Sequence, residues 1–343
     1  MTLGVGPFRG APAEWDAFAV RQPGFTHFHR HGWREVVEEV FGHECLYLEA
    51  RDDGALAGVL PLVRVRSRLF GHYLVSMPFL NYGGPLGGEP AVRALAAHAV
   101  ERARADGVRL LELRSREALP LDLPASHRKV TVVLDLPDGG PDALLKAFGS
   151  KLRSQVRRPA KEGVEVRFGP DQVGPFFEVF RRHMRDLGTP TQPRRLFEAI
   201  STRFPQDGWF GVAWLGGRPI AGGAGFRWGG EFEMTWASAL AEHNRIAANM
   251  GLYWAFLERA MAEGCRTFNF GRCTPGGGTH RFKRQWGGRD EPLHWYQWAP
   301  EGAGEAATPS PDHGAYAWGP RIWKRLPVGL ATVLGPRIVR GIP

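Results

Sequence analysis

The chain has 343 residues, 43% of them hydrophobic and 23% charged, which is enough to bury a large core and ordinary for a globular protein. Its net charge is +9, almost wholly from arginine, because the lysines are only Lys129, Lys146, Lys151, Lys161, Lys283 and Lys324. Such a balance either reflects genome composition or gives a surface that attracts phosphates and anionic lipid. Cys45, Cys265 and Cys273 have neither CxxC nor paired spacing, which argues against a disulfide framework or a zinc site and suits reduced cytosolic thiols; no metal is expected. No basic segment followed by an apolar one opens the chain, and no apolar run approaches the roughly 20 residues that span a bilayer. The expected location is cytoplasmic, with peripheral contact to the inner membrane left open.

In chain order, the strand CLYLEA from Cys45, the turn Asp52-Asp53-Gly54 and the strand ALAGVLPLVRV from Ala55 read as a hairpin. NYGGPLG (Asn81 to Gly87) is a strand and turn, where Asn81, Tyr82 and Gly84 either meet a ligand or sit at an interdomain seam. ERARADGVRLLEL, from Glu101, ends an amphipathic helix at a glycine cap and enters a buried strand. Asp142 to Gly163 is expected to be a helix with a basic face. There Arg153 and Arg157 at i and i+4, with Lys151 and Arg158, clamp a nucleotide diphosphate or an RNA backbone, or form a solvated face. Two more helices follow, GPFFEVFRRHMRDLG and RRLFEAISTRF. Arg185-Asp186 at the end of the first orients an acceptor or makes a helix-end salt bridge. WFGVAWL, Gly216-Gly217-Arg218 and PIAGGAGFRWG repeat the hairpin, and ERAMAEGCRTFNF, from Glu258, repeats the helix end and strand. Next come CTPGGGTHRFKRQWG and the strand-like EPLHWYQW, read as the close of the second half. Glu301 to Gly314 reads as a flexible linker. The residues beyond it form a basic amphipathic tail, docked on the body or lying on an anionic membrane.

ERARADG and ERAMAEG align without a gap, and the hairpins upstream echo each other in the same order, so duplication is expected. Hairpin, further strand, helix and strand is the layout of GNAT acyltransferases, and two in tandem resemble the FemAB family. The likeness is carried by NYGGPLG, SKLRSQVRRPAKEGVEV, MRDLGTPTQPRRLF, FNFGRCTPGGGTHRFKRQWG with EPLHWYQW, and LPVGLATVLGP in the tail. It is closest to the FemAB-like proteins associated with PEP-CTERM/exosortase and exopolysaccharide systems. The resemblance implies an α/β (α+β) fold of two tandem GNAT-like domains from an internal duplication, with a C-terminal amphipathic tail. The expected domains are residues 1–140 and 141–300, then a linker over 301–314 and the tail over 315–343.

The resemblance also implies transfer of an acyl or aminoacyl group to an amine on a small-molecule or lipid-linked envelope or exopolysaccharide precursor. The donors left open are aminoacyl-tRNA and acyl-CoA. A CoA-dependent N-acetyltransferase and a non-catalytic adaptor in polysaccharide assembly remain the alternatives. At the place of the usual pyrophosphate turn, AEHNRIAANMG keeps Arg245 but has no glycine before Gly251. A side chain there obstructs backbone approach to phosphate, which favours a donor other than CoA. The long helical insertion of the peptidoglycan-modifying relatives is missing, which leaves contact with tRNA unsupported. Resemblance places a functional pair at Phe282-Lys283, where a compact ammonium can meet an oxyanion or phosphate. Arg272 accompanies it, His183 and His280 are candidate amine deprotonators, and Cys273 is a candidate acyl carrier with no base placed beside it.

Overall fold

The structure is a computed structural model and describes residues 3–301 and 319–342. The first stretch forms β1 (Gly4–Pro7), α1 (Pro12–Ala19), α2 (Gly32–Phe41), β2 (Glu44–Asp52), β3 (Ala55–Ser67), β4 (Gly71–Ser76), β5 (Leu86–Gly87), α3 (Glu89–Ala105), β6 (Leu110–Ser115) and β7 (Ala125–Ser126). It continues with β8 (Val130–Asp135), α4 (Gly140–Ala147), α5 (Ser150–Lys161), β9 (Glu165–Phe168), α6 (Val173–Leu187), α7 (Arg194–Arg203), β10 (Gly208–Leu215), β11 (Arg218–Trp228) and β12 (Glu231–Ala239). Then come α8 (Ala248–Ala262), β13 (Thr267–Cys273), α9 (Gly278–Arg284), β14 (Arg289–Pro292), β15 (His294–Trp298), α10 (Gly319–Trp323) and α11 (Val328–Val339).

The echoed sequences make the same local structure twice. Asp53 and Gly54, then Gly216 and Gly217, all have positive φ, the two-residue turn whose twist matches a right-handed hairpin. After α3 and after α8 the chain turns through a left-handed glycine, Gly107 and Gly264. Val108 N–H donates to the Ala103 carbonyl at 3.0 Å, and Cys265 N–H to the Ala260 carbonyl at 2.9 Å. Both are Schellman caps, closed by the matching inner bonds Gly107 to Arg104 and Gly264 to Met261.

One sheet runs β1-β2-β3-β4-β6-β15-β7, with β5 beside β3; the other runs β9-β10-β11-β12-β13-β8-β14. Position for position the orders correspond. In each the fourth and fifth strands are parallel, β4 with β6 and β12 with β13, and the strands before them run antiparallel. The tandem fold expected of the sequence is therefore present.

The expected domain limits are corrected. The chain divides at Lys129/Val130, eleven residues before the expected boundary after residue 140, and the stretch from Pro292 belongs with the first unit. Apart from Glu291 and Pro292, which end β14 at the edge of the second sheet, EPLHWYQW thus goes to the first. The second sheet takes in β8, the strand that opens its own stretch, and the first takes in β15 from beyond the second unit's stretch, since a fifth strand left at an edge exposes unpaired backbone groups. β8 pairs antiparallel with β13 and adds Val132 and Leu134 to the second core. β15 pairs antiparallel with β6 and adds Tyr296 to the first, its hydroxyl bonded to the Leu119 N–H and carbonyl.

The basic helix expected over 142–163 is two helices. Phe148 adopts an extended backbone and turns its ring into the core against Trp254 and Trp286, and Gly149 caps the start of α5. The linker, 301–314, lies outside the described residues apart from Glu301. The tail packs on the second unit. A side chain at Gly188, after α6, would strike Pro320, one at Gly335 would strike the Thr191 backbone, and Arg185 Nη1 donates to the Leu326 carbonyl at 3.0 Å. Past α11, His43 Nε2 bonds the Arg340 carbonyl at 2.7 Å in the first unit.

Candidate active site

In the second unit β12 and β13 pair only over Glu231–Glu233 and Thr267–Asn269. Beyond that they part. Two features force the parting. Thr235 is an extra residue in β12, a bulge opposite Ala224 and Gly225. In β13, Gly271 takes φ +74° where the register against β8 shifts. The gap opens at the carboxyl ends of parallel strands, where sheets of this kind bind ligands. On the β12 side the buried hydroxyls of Thr235 and Ser238 have no hydrogen-bond partner among the described residues.

Lys283 reaches the parted end of β13 from the last turn of α9. It is only 5% exposed, so it is not a surface lysine capping a helix end. Its Nζ donates to the Gly271 carbonyl at 2.6 Å and the Arg272 carbonyl at 2.9 Å, two of an ammonium's three donors. Burial lowers its pKa to about 8, opposed by the charges of Cys273 and Glu233 and aided by Arg272. Phe282 packs edge-on to Tyr253 at 5.0 Å and near Trp286, fixing α9 to the core. Its place is packing, with the lysine beside it held at the strand end.

The sequence reading missed the network beneath. Asn269 Nδ2 donates to Glu231 Oε1 at 3.0 Å and lies 3.4 Å from Glu233 Oε2, while its Oδ1 accepts from the Gly271 N–H and the Thr131 hydroxyl. Glu233 and Asn269 are fully buried. The available signal was EFEM, two acids in a run otherwise reading as a core strand, where burial demands partners.

Near the α8 start, Ala247 takes φ +58°. The left-handed turn that glycine usually supplies is kept, at a steric cost of about 1–2 kcal/mol for a residue with a Cβ. Arg245 is exposed, and its carbonyl accepts from Arg158 Nη1 at 3.0 Å. α5 packs closely on α8, since an added Cβ at Gly251 would lie 2.8 Å from Pro159. The proposed clamp on α5 is not assembled. Arg153 Nη1 is spent on the Phe148 and Lys146 carbonyls at the end of α4, while Lys151 and Arg157 are exposed.

Other candidates take structural places. Arg185 pairs with Asp186 at 2.7 Å and holds Leu326, the helix-end salt bridge rather than an acceptor clamp. His183 bonds the Ala239 carbonyl, and burial lowers its pKa despite that bond. His280 Nδ1 accepts from the Gly276 N–H at 3.1 Å and Nε2 faces Asp290 Oδ2 at 2.9 Å, so the ring holds the loop to β14. Cys273 is buried against the core. In the first unit Tyr82 is fully buried against Phe28, its face closed to a stacking ligand. Asn81 is buried too. Gly84 packs on the Arg114 carbonyl and bonds His29, whose pKa burial lowers to about 4. Tyr82 and Gly84 line a cavity of about 100 Å³.

Residues 147–284 match the family model described as an acetyltransferase (GNAT) domain. This stretch resembles GNAT acetyltransferases. It contains the β12–β13 gap, the Ala247 turn and Lys283. Among solved structures the chain is similar to FemX (16% identity, TM-score 0.65), over 84% of this chain and 96% of that one. It is also similar to the C-terminal domain of a putative lysylphosphatidylglycerol synthetase from Agrobacterium fabrum (15%, TM-score 0.57, over 86% and 92%). A tandem GNAT protein from the clavulanic acid biosynthesis pathway matches at 16% identity and TM-score 0.51, over 90% and 100%. At these identities the likeness is one of fold. No curated protein matches the sequence.

Proposed function

We propose that the protein transfers an activated acyl or aminoacyl group to an amine of a cell-envelope or exopolysaccharide precursor, with the chemistry in the β12–β13 gap. The observation that carries this reading is the buried Lys283 ammonium held at the strand end with one N–H donor left over. The acceptor nitrogen bonds to the donor's carbonyl carbon and the carrier's C–O or C–S bond breaks. The amine's proton leaves with the carrier as its hydroxyl or thiol. The remaining N–H of Lys283 meets the oxyanion, and Glu233 supports the lysine's charge. The lysylphosphatidylglycerol synthetase domain, alike in fold, points the choice of substrate toward lipid-linked chemistry, and an activated acyl or aminoacyl group other than acyl-CoA is the donor we favour.

One observation favours a second reading, a CoA-dependent N-acetyltransferase: the left-handed turn at Ala247 survives without its glycine. The two part in a thermal-shift screen with acetyl-CoA, aminoacyl-tRNA and nucleotide-linked sugars, since a ligand bound only by the native state raises Tm. Acetyl-CoA at micromolar concentration is expected to give no shift, because the Ala247 methyl stands in the turn. A clear shift that Arg245→Ala abolishes would establish the CoA reading instead.

A further inference from the structure

Gly319–Pro343 carries five cations, Arg321, Lys324, Arg325, Arg337 and Arg340, and no acid. Docking of the tail sorts its residues by side. Trp323, Ala331 and Gly335 turn inward and are buried. Leu330, Val333 and Arg337 fall at i, i+3 and i+7, on one outward face of α11. Of the six large hydrophobic residues that stand exposed among the described residues, three are here: Ile322 at 58%, Leu330 at 46% and Val333 at 61%. A fourth, Leu187, ends α6 next to Gly188, which touches Pro320. The five cations are solvent-facing, and none has a carboxylate partner among the described residues.

We propose that this outward face of α10 and α11, with the end of α6, rests on an anionic bilayer surface, the tail remaining folded on the second unit. Exposed branched side chains interspersed along the chain with unpaired cations match the boundary of acyl chains and negative headgroups. A protein partner with a plain apolar surface would leave the cations unmatched, and no helix among the described residues is long and apolar enough to cross a membrane. The contact is therefore interfacial and reversible. The inference stands whether or not the acyl-transfer reading holds.

The same packing fixes which experiment is informative. Deleting the tail would uncover Trp323 and the surface of α6 and confound binding with folding, whereas substitutions on the outward face leave the packing intact. The full chain is sedimented with phosphatidylcholine vesicles with and without phosphatidylglycerol, across a salt series. Binding is expected only with phosphatidylglycerol and is expected to weaken with salt. Each cation near such a surface is worth about fivefold in partitioning, so Arg321→Ala with Lys324→Ala is expected to lower it about 25-fold. Leu330→Glu with Val333→Glu is expected to abolish it, while Arg93→Ala, at an exposed arginine of α3 paired with Glu89, changes little. The variants are expected to keep the parent Tm. Failure of the wild-type chain to sediment, or equal sedimentation by the variants, would overturn the proposal. So would a concentration-dependent dimer, seen by light scattering, that the Leu330/Val333 pair dissolves, since the face would then be an interface between copies.

Discussion

Lys283→Met is expected to lower kcat by about 10²–10³, the usual effect of removing one oxyanion donor, roughly 2.7–4 kcal/mol of transition-state stabilisation. Methionine keeps the apolar stem in its packed site. It leaves the Gly271 and Arg272 carbonyls without their donor, so a loss of stability of about 1–3 kcal/mol accompanies the kinetic one. Lys283→Arg is expected to rescue poorly, since a planar fork cannot replace a compact ammonium between two carbonyls. The pH profile separates a kinetic role from a packing one. Burial brings the lysine's pKa from 10.5 down to about 8, and the cation is the acting form, so kcat should fall as pH rises through about 8. Stability moves the other way. Between about 8 and 10.5 the unfolded chain holds this proton and the folded chain does not, so this group's contribution rises with pH across that window and is lost as pH falls through about 8. A methionine variant with wild-type turnover and an unchanged basic limb would remove Lys283 from the mechanism, and with it the strongest support for catalysis over an adaptor role.

The parts of this fold written in local sequence were legible. Gly107 and Gly264 close like caps, and Asp53-Gly54 and Gly216-Gly217 make like turns, because short-range backbone requirements select those residues. The break at Phe148-Gly149 was hidden by a helical pattern that runs on through it, and only the core pocket for Phe148 decides it. The placing of β8 and β15 was beyond the sequence. An apolar strand fits equally beside the strand before it in the chain or beside a distant one, and pairing is settled by which edge stays open. The candidate site divides similarly. Lys283 was singled out, yet its burial, its two carbonyl partners and the Glu233–Asn269 network depend on where β12 and β13 separate. Arg153 looked like a clamp because i,i+4 spacing gives a face but not what the face touches.

Strand β15 exposes the first unit to a single substitution. Glu112 and Arg114 lie on one face of β6 and pair at 2.7 Å, both about 5% exposed. Arg114 Nη1 also donates to the Leu80 carbonyl, and its guanidinium lies 4.4 Å from the Trp295 ring of β15. Gln297 of the same strand donates to the other oxygen of Glu112 at 2.8 Å. Glu112→Ala strands a buried guanidinium and deprives Gln297 of its acceptor, so a loss of about 3–5 kcal/mol is expected in urea unfolding. Trp295 should report it as a change in fluorescence early in the transition, because β15 joins β6 through these side chains as well as the ladder. Replacing both partners, Glu112→Met with Arg114→Leu, should recover much of the loss, since an apolar pair needs no desolvated charge to be matched. Recovery by the double variant together with a large loss in the single one would show that β15 is held by the balance of this buried pair. A single variant within 1 kcal/mol of the parent would instead leave the backbone ladder and Tyr296 as what keeps the strand in place.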